Sequence, residues 1–214
     1  MKNPFDFFEE IYCINLDYRV DRWELVKKEF EKVGILDRVK RFSAIKENDG
    51  RVGIIKSNLE IVKIAKSKGL KNVLVFEDDV KFLDNDTLDI LEKSIKQLND
   101  KNLPWKLFYL GANTHNKLTK ITDNLIILKD SYAVHSMAYS ENVYTKFINY
   151  ASNINQITDY NQILDVWLSV EVQNKDICLM TNPMITTQRE SFSDIEKRNV
   201  NYSFIEERFN ENIK

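Results

Sequence analysis

The sequence predicts a single α/β domain over residues 1–214, with a central, mostly parallel sheet flanked by helices. Two observations lead to this prediction. Short apolar runs rich in β-branched and aromatic residues alternate with segments of helical periodicity, three times in the first half of the chain. No internal repeat, low-complexity tract or Pro/Gly-rich linker interrupts the pattern, so we expect one domain.

Strands are predicted where apolar residues, many of them β-branched or aromatic, follow one another without a break. The first three alternate with helices, and the later ones are less regularly spaced. In chain order the predicted strands are residues 11–16, 41–45, 72–77, 105–110, 125–128, 134–139 and 177–180. Gly111 follows the fourth strand, at a position where the backbone can approach a ligand closely.

Helices are predicted where apolar side chains recur every three or four residues. Asp21 is expected to cap the first helix and Asp86 or Thr87 the third, and Gly34 and Gly69 are expected to end the first two. The predicted buried stripe of the third helix is Leu88, Leu91, Ile95 and Leu98. Later helices are predicted at residues 141–151 and 161–173, followed by a polar segment anchored by Tyr202, Ile205 and Phe209.

The composition argues against several classes of protein. Charged residues make up 30% and hydrophobic residues 43% of the chain, which is ordinary for a globular protein. The formal net charge of −2 gives no basic footprint, so we expect no nucleic-acid partner. No apolar stretch approaches the ~18 residues of a membrane span, and acids near the N-terminus argue against a signal peptide. We therefore expect a cytoplasmic protein.

The two cysteines, Cys13 and Cys178, each lie inside an apolar run. Such placement is typical of buried free thiols in a reducing compartment. A disulfide or a metal-binding pair is the alternative. The sequence does not predict an oligomeric state.

The most informative segment is the strand 72–77, which leads directly into three consecutive carboxylates, Glu77, Asp78 and Asp79. In open α/β sheets, ligands bind outside the carboxyl ends of the strands. Three adjacent negative charges repel one another unless they are solvated or neutralised by a cation. Mg²⁺ and Mn²⁺ prefer oxygen ligands, and one or two carboxylates with phosphate and water satisfy them. The segment therefore predicts a divalent-metal site for a phosphorylated ligand, with a solvated acidic loop as the alternative.

A second polar segment lies where the first strand passes into its helix. Amide groups at a helix start favour anions, and the side chains of Arg19 and Arg22 can each donate paired hydrogen bonds to a phosphate. These features indicate a nucleotide site. The alternative is an ordinary helix start, capped by Asp21, with two solvated arginines.

Two later segments carry further candidate residues. Asp165 is the single carboxylate in the apolar run 164–168, where desolvation would raise its pKa toward that of a general base. A carboxylate on a solvated helix face is the alternative. Residues 183–195, which include Gln188, Ser193 and Asp194, are typical of a loop that lines a polar ligand or of a surface loop that caps a helix.

Taken in order, these segments resemble glycosyltransferase family 25, which includes bacterial lipooligosaccharide β-galactosyltransferases and the collagen hydroxylysine galactosyltransferase domain. The resemblance covers residues 10–196 and leaves 197–214 as a C-terminal tail. Asn58 stands where the family has a histidine. The matching blocks are Ile14-Asn15-Leu16, Asp21-Arg22, Phe42-Ser43-Ala44-Ile45, Gly53-Ile54, Ser57-Asn58-Leu59, Glu77-Asp78-Asp79-Val80, Tyr109-Leu110-Gly111, Ala138-Tyr139-Ser140, Asp165, Gln188 and Ser193-Asp194-Ile195.

The resemblance implies a GT-A fold, which is a nucleotide-binding α/β sandwich. It also implies inverting transfer of a hexose, galactose or glucose, from a UDP-sugar donor to a hydroxyl of a glycan or other acceptor, with Mn²⁺ or Mg²⁺ as cofactor. By the same resemblance Asp165 is the general base and Asp79 the first choice as direct metal ligand, with Asp78 and Glu77 beside it. The residues that it assigns to the uridine, ribose and phosphates are Asn15, Leu16, Arg19, Arg22, Glu77, Asp78, Gln188, Ser193 and Asp194.

Two other functions remain open. The first is a non-catalytic relative that binds a sugar nucleotide, which the residue Asn58 suggests. The second is another metal-dependent enzyme of phosphoryl or nucleotidyl transfer. Such enzymes usually bind two metals through further acidic ligands, and no second acidic cluster follows a predicted strand.

Overall fold

The computed structural model describes residues 3–83, 86–194 and 197–213. Its strands are β1 (Glu10–Asn15), β2 (Val39–Ser43), β3 (Asn72–Glu77), β4 (Val80–Phe82), β5 (Leu107–Tyr109), β6 (Asn113–Thr114), β7 (Thr119–Lys120), β8 (Leu125–Ile127), β9 (Ser131–Tyr132), β10 (Ser136–Ser140), β11 (Cys178–Thr181), β12 (Thr186–Gln188), β13 (Ser191–Ser193) and β14 (Arg198–Val200). Its helices are α1 (Val20–Lys32), α2 (Gly50–Ser67), α3 (Thr87–Asp100), α4 (Glu141–Ala151), α5 (Leu164–Trp167) and α6 (Phe204–Asn212).

The central sheet has eight strands in the order β2-β1-β3-β10-β5-β11-β8-β7. Strand β1 pairs in parallel with β2 and with β3, and β5 pairs in parallel with β11. Strand β10 lies antiparallel between β3 and β5, and β8 is antiparallel to its two neighbours. The expected α/β class, with a large central sheet and flanking helices, is confirmed.

Both faces of the sheet are buried, which explains why its strands are continuous apolar runs. Side chains alternate between the faces along each strand. In β3, Val73 and Val75 pack into the core that contains α2 and α4. Leu74 and Phe76 pack into the core that contains α1 and α3. Between Asn72 at its start and Glu77 at its end, the strand therefore carries only apolar side chains.

Two details of the predicted helices are wrong. Residue 19, not Asp21, is the cap of α1, because the Asp21 carboxylate accepts hydrogen bonds from the Arg19 guanidinium instead. On α3, Leu88 is 36% exposed. Ser94 faces the core in its place, because its hydroxyl bonds to two carbonyls, those of Ile90 and Asn124.

The prediction of two buried free thiols is confirmed. Cys13 and Cys178 are both buried and unpaired. Within the described parts of the chain, no helix combines the length and apolarity that crossing a bilayer requires.

The helix predicted at residues 161–173 is divided into a 3₁₀ turn at Tyr160–Gln162, the short α5, and a π-helical segment at Leu168–Gln173.

Gly111 allows the close backbone approach that its position predicts, although the neighbour is another chain segment. A Cβ atom at Gly111 would lie 2.0 Å from the carbonyl oxygen of Thr186. Next to it, the backbone N–H of Ile185 donates to the Leu110 carbonyl at 2.8 Å. The residue therefore lets the segment before β12 cross the end of β5.

We expect Gly111→Ala to lower the free energy of unfolding by about 3 kcal/mol or more, because only backbone atoms could move to accept the methyl group. Gly69→Ala is the control. Gly69 has a φ of +68° but no atom within 4 Å of the added Cβ, so the expected loss is about 1 kcal/mol. Urea unfolding measures both values. Equal losses in the two variants would contradict the close approach.

Candidate functional site

The carboxyl ends of β1 and β3 open into a cavity of about 470 Å³. This is the edge at which ligands bind in open α/β sheets. The cavity gathers residues that are far apart in the sequence. The predicted site residues on its wall are Leu16, Arg22, Glu77, Asp78, Asp79, Asp165, Gln188, Ser193 and Asp194.

The acidic cluster at the end of β3 is buried, which contradicts the alternative of a solvated loop. Asp78 is 8% exposed and Asp79 is 6% exposed. Arg22 Nη1 donates to Asp78 Oδ1 at 2.6 Å, and Asn15 Nδ2 donates to Asp78 Oδ2 at 2.7 Å. Burial raises the pKa of Asp78, and the charge of Arg22 and the bond from Asn15 oppose that rise.

Asp79 is the less compensated of the two aspartates. Its Oδ2 lies 3.4 Å from Arg22 Nη2, and its buried Oδ1 has no hydrogen-bond partner among the described residues. Burial raises the pKa of Asp79 to about 6, with a further rise from the Asp78 charge, although Arg22 and a hydrogen bond with Gln188 lower it. Burial and the charges of Asp79 and Asp165 likewise raise the pKa of Glu77. The cluster therefore has an excess of negative charge at the wall of the cavity.

This cluster fits a divalent cation that takes its remaining ligands from phosphate and water. No group of three His, Cys, Asp or Glu side chains in the described ranges is arranged to hold a metal on its own. Mg²⁺ in nucleotide sites uses one or two carboxylates and completes its shell with phosphate and water. The unpartnered Asp79 Oδ1, beside a second buried carboxylate, suits that mode of binding.

Asn15 and Arg19 support the cavity from behind, and neither side chain lines it. Asn15 is 1% exposed. Its amide nitrogen donates to Asp78 and to the Arg19 carbonyl, and its oxygen accepts from Arg41 Nε at 2.9 Å. The arrangement makes Asn15 a positioning residue for Asp78, and the nucleotide contact that the sequence assigned to it stays a prediction.

Residues 191–194 are held against the start of α1. Arg22 Nη2 donates to Ser191 Oγ at 2.7 Å. Asp194 accepts hydrogen bonds from the Arg19 guanidinium and, at 3.1 Å, from the Tyr18 hydroxyl. The segment forms the hairpin of β13 and β14, where one alternative was a surface loop that caps a helix. Ile195, the last residue of the predicted closing element, lies outside the described residues.

Asp165 lies in the first turn of α5, on the same cavity wall as the acidic cluster. The backbone N–H of Ala133 bonds to it, and its buried Oδ1 has no partner in the described structure. Asp165 is half-buried, so it does not lie on a fully solvated helix face, and this desolvation raises the pKa of its carboxyl to about 6. Ala133 has a φ of +71°, a strained conformation of a kind that concentrates at functional sites.

Asn58 has a structural role that is separate from the cavity. Its Oδ1 accepts from the Tyr139 hydroxyl at 3.0 Å, and its Nδ2 donates to the Ile54 carbonyl at 2.9 Å. The residue is buried and does not line the cavity. The departure from the family histidine therefore falls in the core beside the site.

Sequence reasoning missed one wall of the cavity. The segment predicted as a polar tail folds as α6, and Tyr202, Phe204 and Ile205 face the cavity. The only signal in the sequence is the spacing of Tyr202, Ile205 and Phe209, which predicted anchoring but no role in a site. Asn113, Tyr132, Tyr18 and Lys46 also line the cavity and carry no motif.

Comparisons with known proteins support a family-level relationship over part of the chain. No protein-family model matches the sequence. A Bos taurus protein named probable inactive glycosyltransferase 25 family member 3 is 39% identical over 67 residues, which is 31% of this chain. The Homo sapiens protein named inactive glycosyltransferase 25 family member 3 is 28% identical over 161 residues, with 62% of this chain covered. This chain spans 11% and 27% of the lengths of these two relatives.

Among solved structures, the chain is similar to a glycosyltransferase involved in the glycosylation of the major capsid of PBCV-1. The identity is 11% and the TM-score is 0.45, over 78% of this chain and 71% of that chain. The sequence similarity to members of glycosyltransferase family 25 covers part of this chain.

We expect Arg22→Gln to destabilise the fold most at high pH. Removing one partner of a buried ion pair costs about 3–5 kcal/mol because the remaining charge stays buried. The pKa of Asp79 is about 6 in the folded protein, so its carboxyl is protonated in acid and the cluster then carries less negative charge. The stability that Asp79 contributes therefore falls as pH rises from about 4 to 6. Urea unfolding should show a loss of about 3 kcal/mol at pH 8 and a smaller loss at pH 5.

The matched control for this prediction is Arg51→Gln. Arg51 pairs with Asp49 at 2.7 Å, but both side chains are substantially exposed, so the expected loss is below about 1 kcal/mol at either pH. A loss for Arg22→Gln that is the same at pH 5 and pH 8 would show that Arg22 does not compensate the carboxylates.

Proposed function

We propose that this protein is a metal-dependent glycosyltransferase that moves a hexose, galactose or glucose, from a UDP-sugar to a hydroxyl of a glycan or other acceptor. One observation carries the proposal. The buried, undercompensated carboxylates Asp78 and Asp79 share a single cavity with Arg22 and with the half-buried carboxylate Asp165. A cavity of about 470 Å³ is within the range of small-ligand sites, roughly 300–1,000 Å³.

The donor would bind at the β3 end of the cavity. Asp79, with Asp78 and Glu77, would hold Mn²⁺ or Mg²⁺, and the bound cation would neutralise the diphosphate and the charge that develops on departing UDP. A diphosphate beside these acids needs added positive charge, because the one guanidinium of Arg22 already pairs with both Asp78 and Asp79. Arg22 can also donate two parallel hydrogen bonds to a phosphate. Leu16, Gln188, Ser193 and Asp194 complete the proposed donor wall.

Asp165 would act as the general base. The acceptor hydroxyl oxygen attacks the anomeric carbon, the bond from that carbon to the diphosphate oxygen breaks, and UDP leaves with the electron pair. The hydroxyl proton passes to Asp165, whose unpartnered Oδ1 is free to accept it. A pKa of about 6 keeps this carboxylate ionised at neutral pH while making it a stronger base than an exposed aspartate. This single displacement inverts the anomeric configuration.

A non-catalytic protein that binds a sugar nucleotide is the second candidate. It is favoured by the names of the curated relatives from Bos taurus and Homo sapiens, which call those proteins inactive. Asn58 gives this candidate less support than the sequence suggested, because its side chain points into the core. Nucleotidyl or phosphoryl transfer is the third candidate, which the identity of the released product distinguishes from glycosyl transfer.

We expect UDP to bind at least about tenfold more weakly without Mn²⁺, because no cation would then offset the repulsion between the diphosphate and the acidic cluster. Isothermal titration calorimetry with and without Mn²⁺ measures this difference. Asp79→Asn should abolish the metal dependence. Asp89→Asn, which alters an exposed aspartate paired with Lys93, should preserve it. Equal affinity for UDP with and without Mn²⁺ in the unmodified protein would remove Asp79 from metal binding.

We expect UDP release from one of UDP-glucose, UDP-galactose or their N-acetyl forms in the presence of Mn²⁺ and an acceptor panel. Asp165→Asn should retain UDP affinity and lower turnover by about 10²-fold or more. Since the base acts only when ionised, kcat/KM should fall as pH drops below about 6 in the unmodified protein.

Each other outcome of this screen identifies a competing function. UDP binding without UDP release from any donor would support the non-catalytic candidate. Release of pyrophosphate or of a nucleoside monophosphate would support nucleotidyl or phosphodiester chemistry. Unchanged turnover in Asp165→Asn would exclude this residue as the base.

A further inference from the structure

Part of the cavity lining is not assigned to the proposed donor site. This part lies on β6, on β9 and on the C-terminal helix α6. Its side chains are Asn113, Tyr132 and Phe204. None of the three belongs to the blocks that resemble a known family, and two of them are aromatic.

Tyr132 is fixed close to Asp165. The next residue, Ala133, donates its backbone N–H to the Asp165 carboxylate. Burial raises the pKa of the Tyr132 hydroxyl, and nearby charges, that of Asp165 among them, raise it further. The Tyr132 ring is held edge-on by the His115 ring, with centroids 4.9 Å apart and planes at 81°. The ring is therefore oriented by its neighbours before any ligand binds.

Asn113 lies directly opposite Tyr132 in the register of β6 and β9. Its Oδ1 accepts from Arg208 Nη1 at 3.0 Å, and its Nδ2 has no acceptor in the described parts of the chain. The Arg208 guanidinium also lies over the Phe204 ring, 4.9 Å from its centroid. One arginine thus orients both the amide and the second aromatic ring.

Helix α6 is firmly attached to this wall. Asn212 Nδ2 donates to the carbonyl and the hydroxyl of Thr114, each at 3.1 Å. The Leu118 backbone N–H donates to the Asn212 carbonyl at 2.9 Å. Ile205 and Phe209 are buried in the core. The aromatic wall is therefore built into the fold.

Resting on the proposed transferase function, we propose that Tyr132, Asn113 and Phe204 form the subsite that binds the terminal sugar of a glycan acceptor and directs its hydroxyl to Asp165. Aromatic faces pack against the apolar C–H face of a pyranose ring, and the free amide N–H donates to a ring hydroxyl. This combination fits a neutral sugar.

The three side chains of the subsite are themselves uncharged. Arg208 is already bonded to Asn113 and packed on the Phe204 ring. The subsite therefore offers an amide, a phenol and a phenyl ring, which fit an uncharged acceptor.

The first test measures acceptor kinetics with methyl β-galactoside, methyl β-glucoside and methyl β-N-acetylglucosaminide. We expect Tyr132→Ala and Asn113→Ala to raise the acceptor KM by about tenfold, the effect of losing one good contact. The UDP Kd with Mn²⁺ should stay within about twofold of the unmodified value. Tyr132→Phe, which keeps the ring, should restore the acceptor KM. A hydroxylysine-containing peptide serves as the competing acceptor.

Tyr160→Ala is the matched control, because Tyr160 is 66% exposed and does not line the cavity. The subsite assignment is overturned if Tyr132→Ala and Tyr160→Ala change the acceptor KM equally, if UDP affinity falls in step with acceptor affinity, or if the peptide is the preferred acceptor. Failure of the proposed function has a different signature, since the unmodified protein would then release no UDP from any donor.

A second measurement keeps the subsite testable without turnover. Saturation-transfer NMR, with UDP and Mn²⁺ present, should show transfer to the C–H protons of the methyl glycosides. The signal should be lost in Tyr132→Ala and retained in Tyr160→Ala. No transfer to any of the three glycosides in the unmodified protein would contradict the subsite, whether or not the protein is an enzyme.

Discussion

The burial of Asp78 and Asp79 beside the half-buried Glu77, at the end of β3, is the constraint around which the rest of the site is arranged. Buried carboxylates are stable only with nearby cations or hydrogen-bond donors. Arg22 supplies a cation to Asp78 and Asp79, and Asn15 supplies a donor to Asp78. One oxygen of Asp79 remains without a partner among the described residues, so the protein alone does not complete the compensation.

The same compensation ties distant parts of the chain together. Arg22 also bonds to Ser191, which brings the β13–β14 hairpin onto the start of α1. The backbone N–H of Arg189 donates to the Asp79 carbonyl at 2.7 Å, and its guanidinium pairs with buried Glu29 at 2.8 Å. Because these partners come from α1 and from the segment after β12, the acidic turn is held from two sides.

The cavity separates two chemistries that a transferase needs to keep apart. Its β3 end gathers carboxylates and a guanidinium, which suits a metal-bound diphosphate. Its other end places Asp165 beside aromatic side chains and an amide, which suits an uncharged acceptor. Burial alone raises the pKa of Asp165 toward that of a base, whereas at the acidic cluster burial and like charges act together. Asp165 and the acidic cluster therefore have different surroundings, which suit the different tasks proposed for them.

The sequence by itself determined the elements whose signals are local. Strand β3 begins and ends at the predicted residues 72–77, and α4 at residues 141–151, because apolar runs and periodicity are short-range properties. The acidic strand end and Asp165 could also be named as candidate site residues, because a strand end and a lone carboxylate in an apolar run are both local features of the sequence. Only the tertiary structure decided that Asn15 faces Asp78 and that α6 walls the cavity, because both depend on contacts between segments that are distant in the chain.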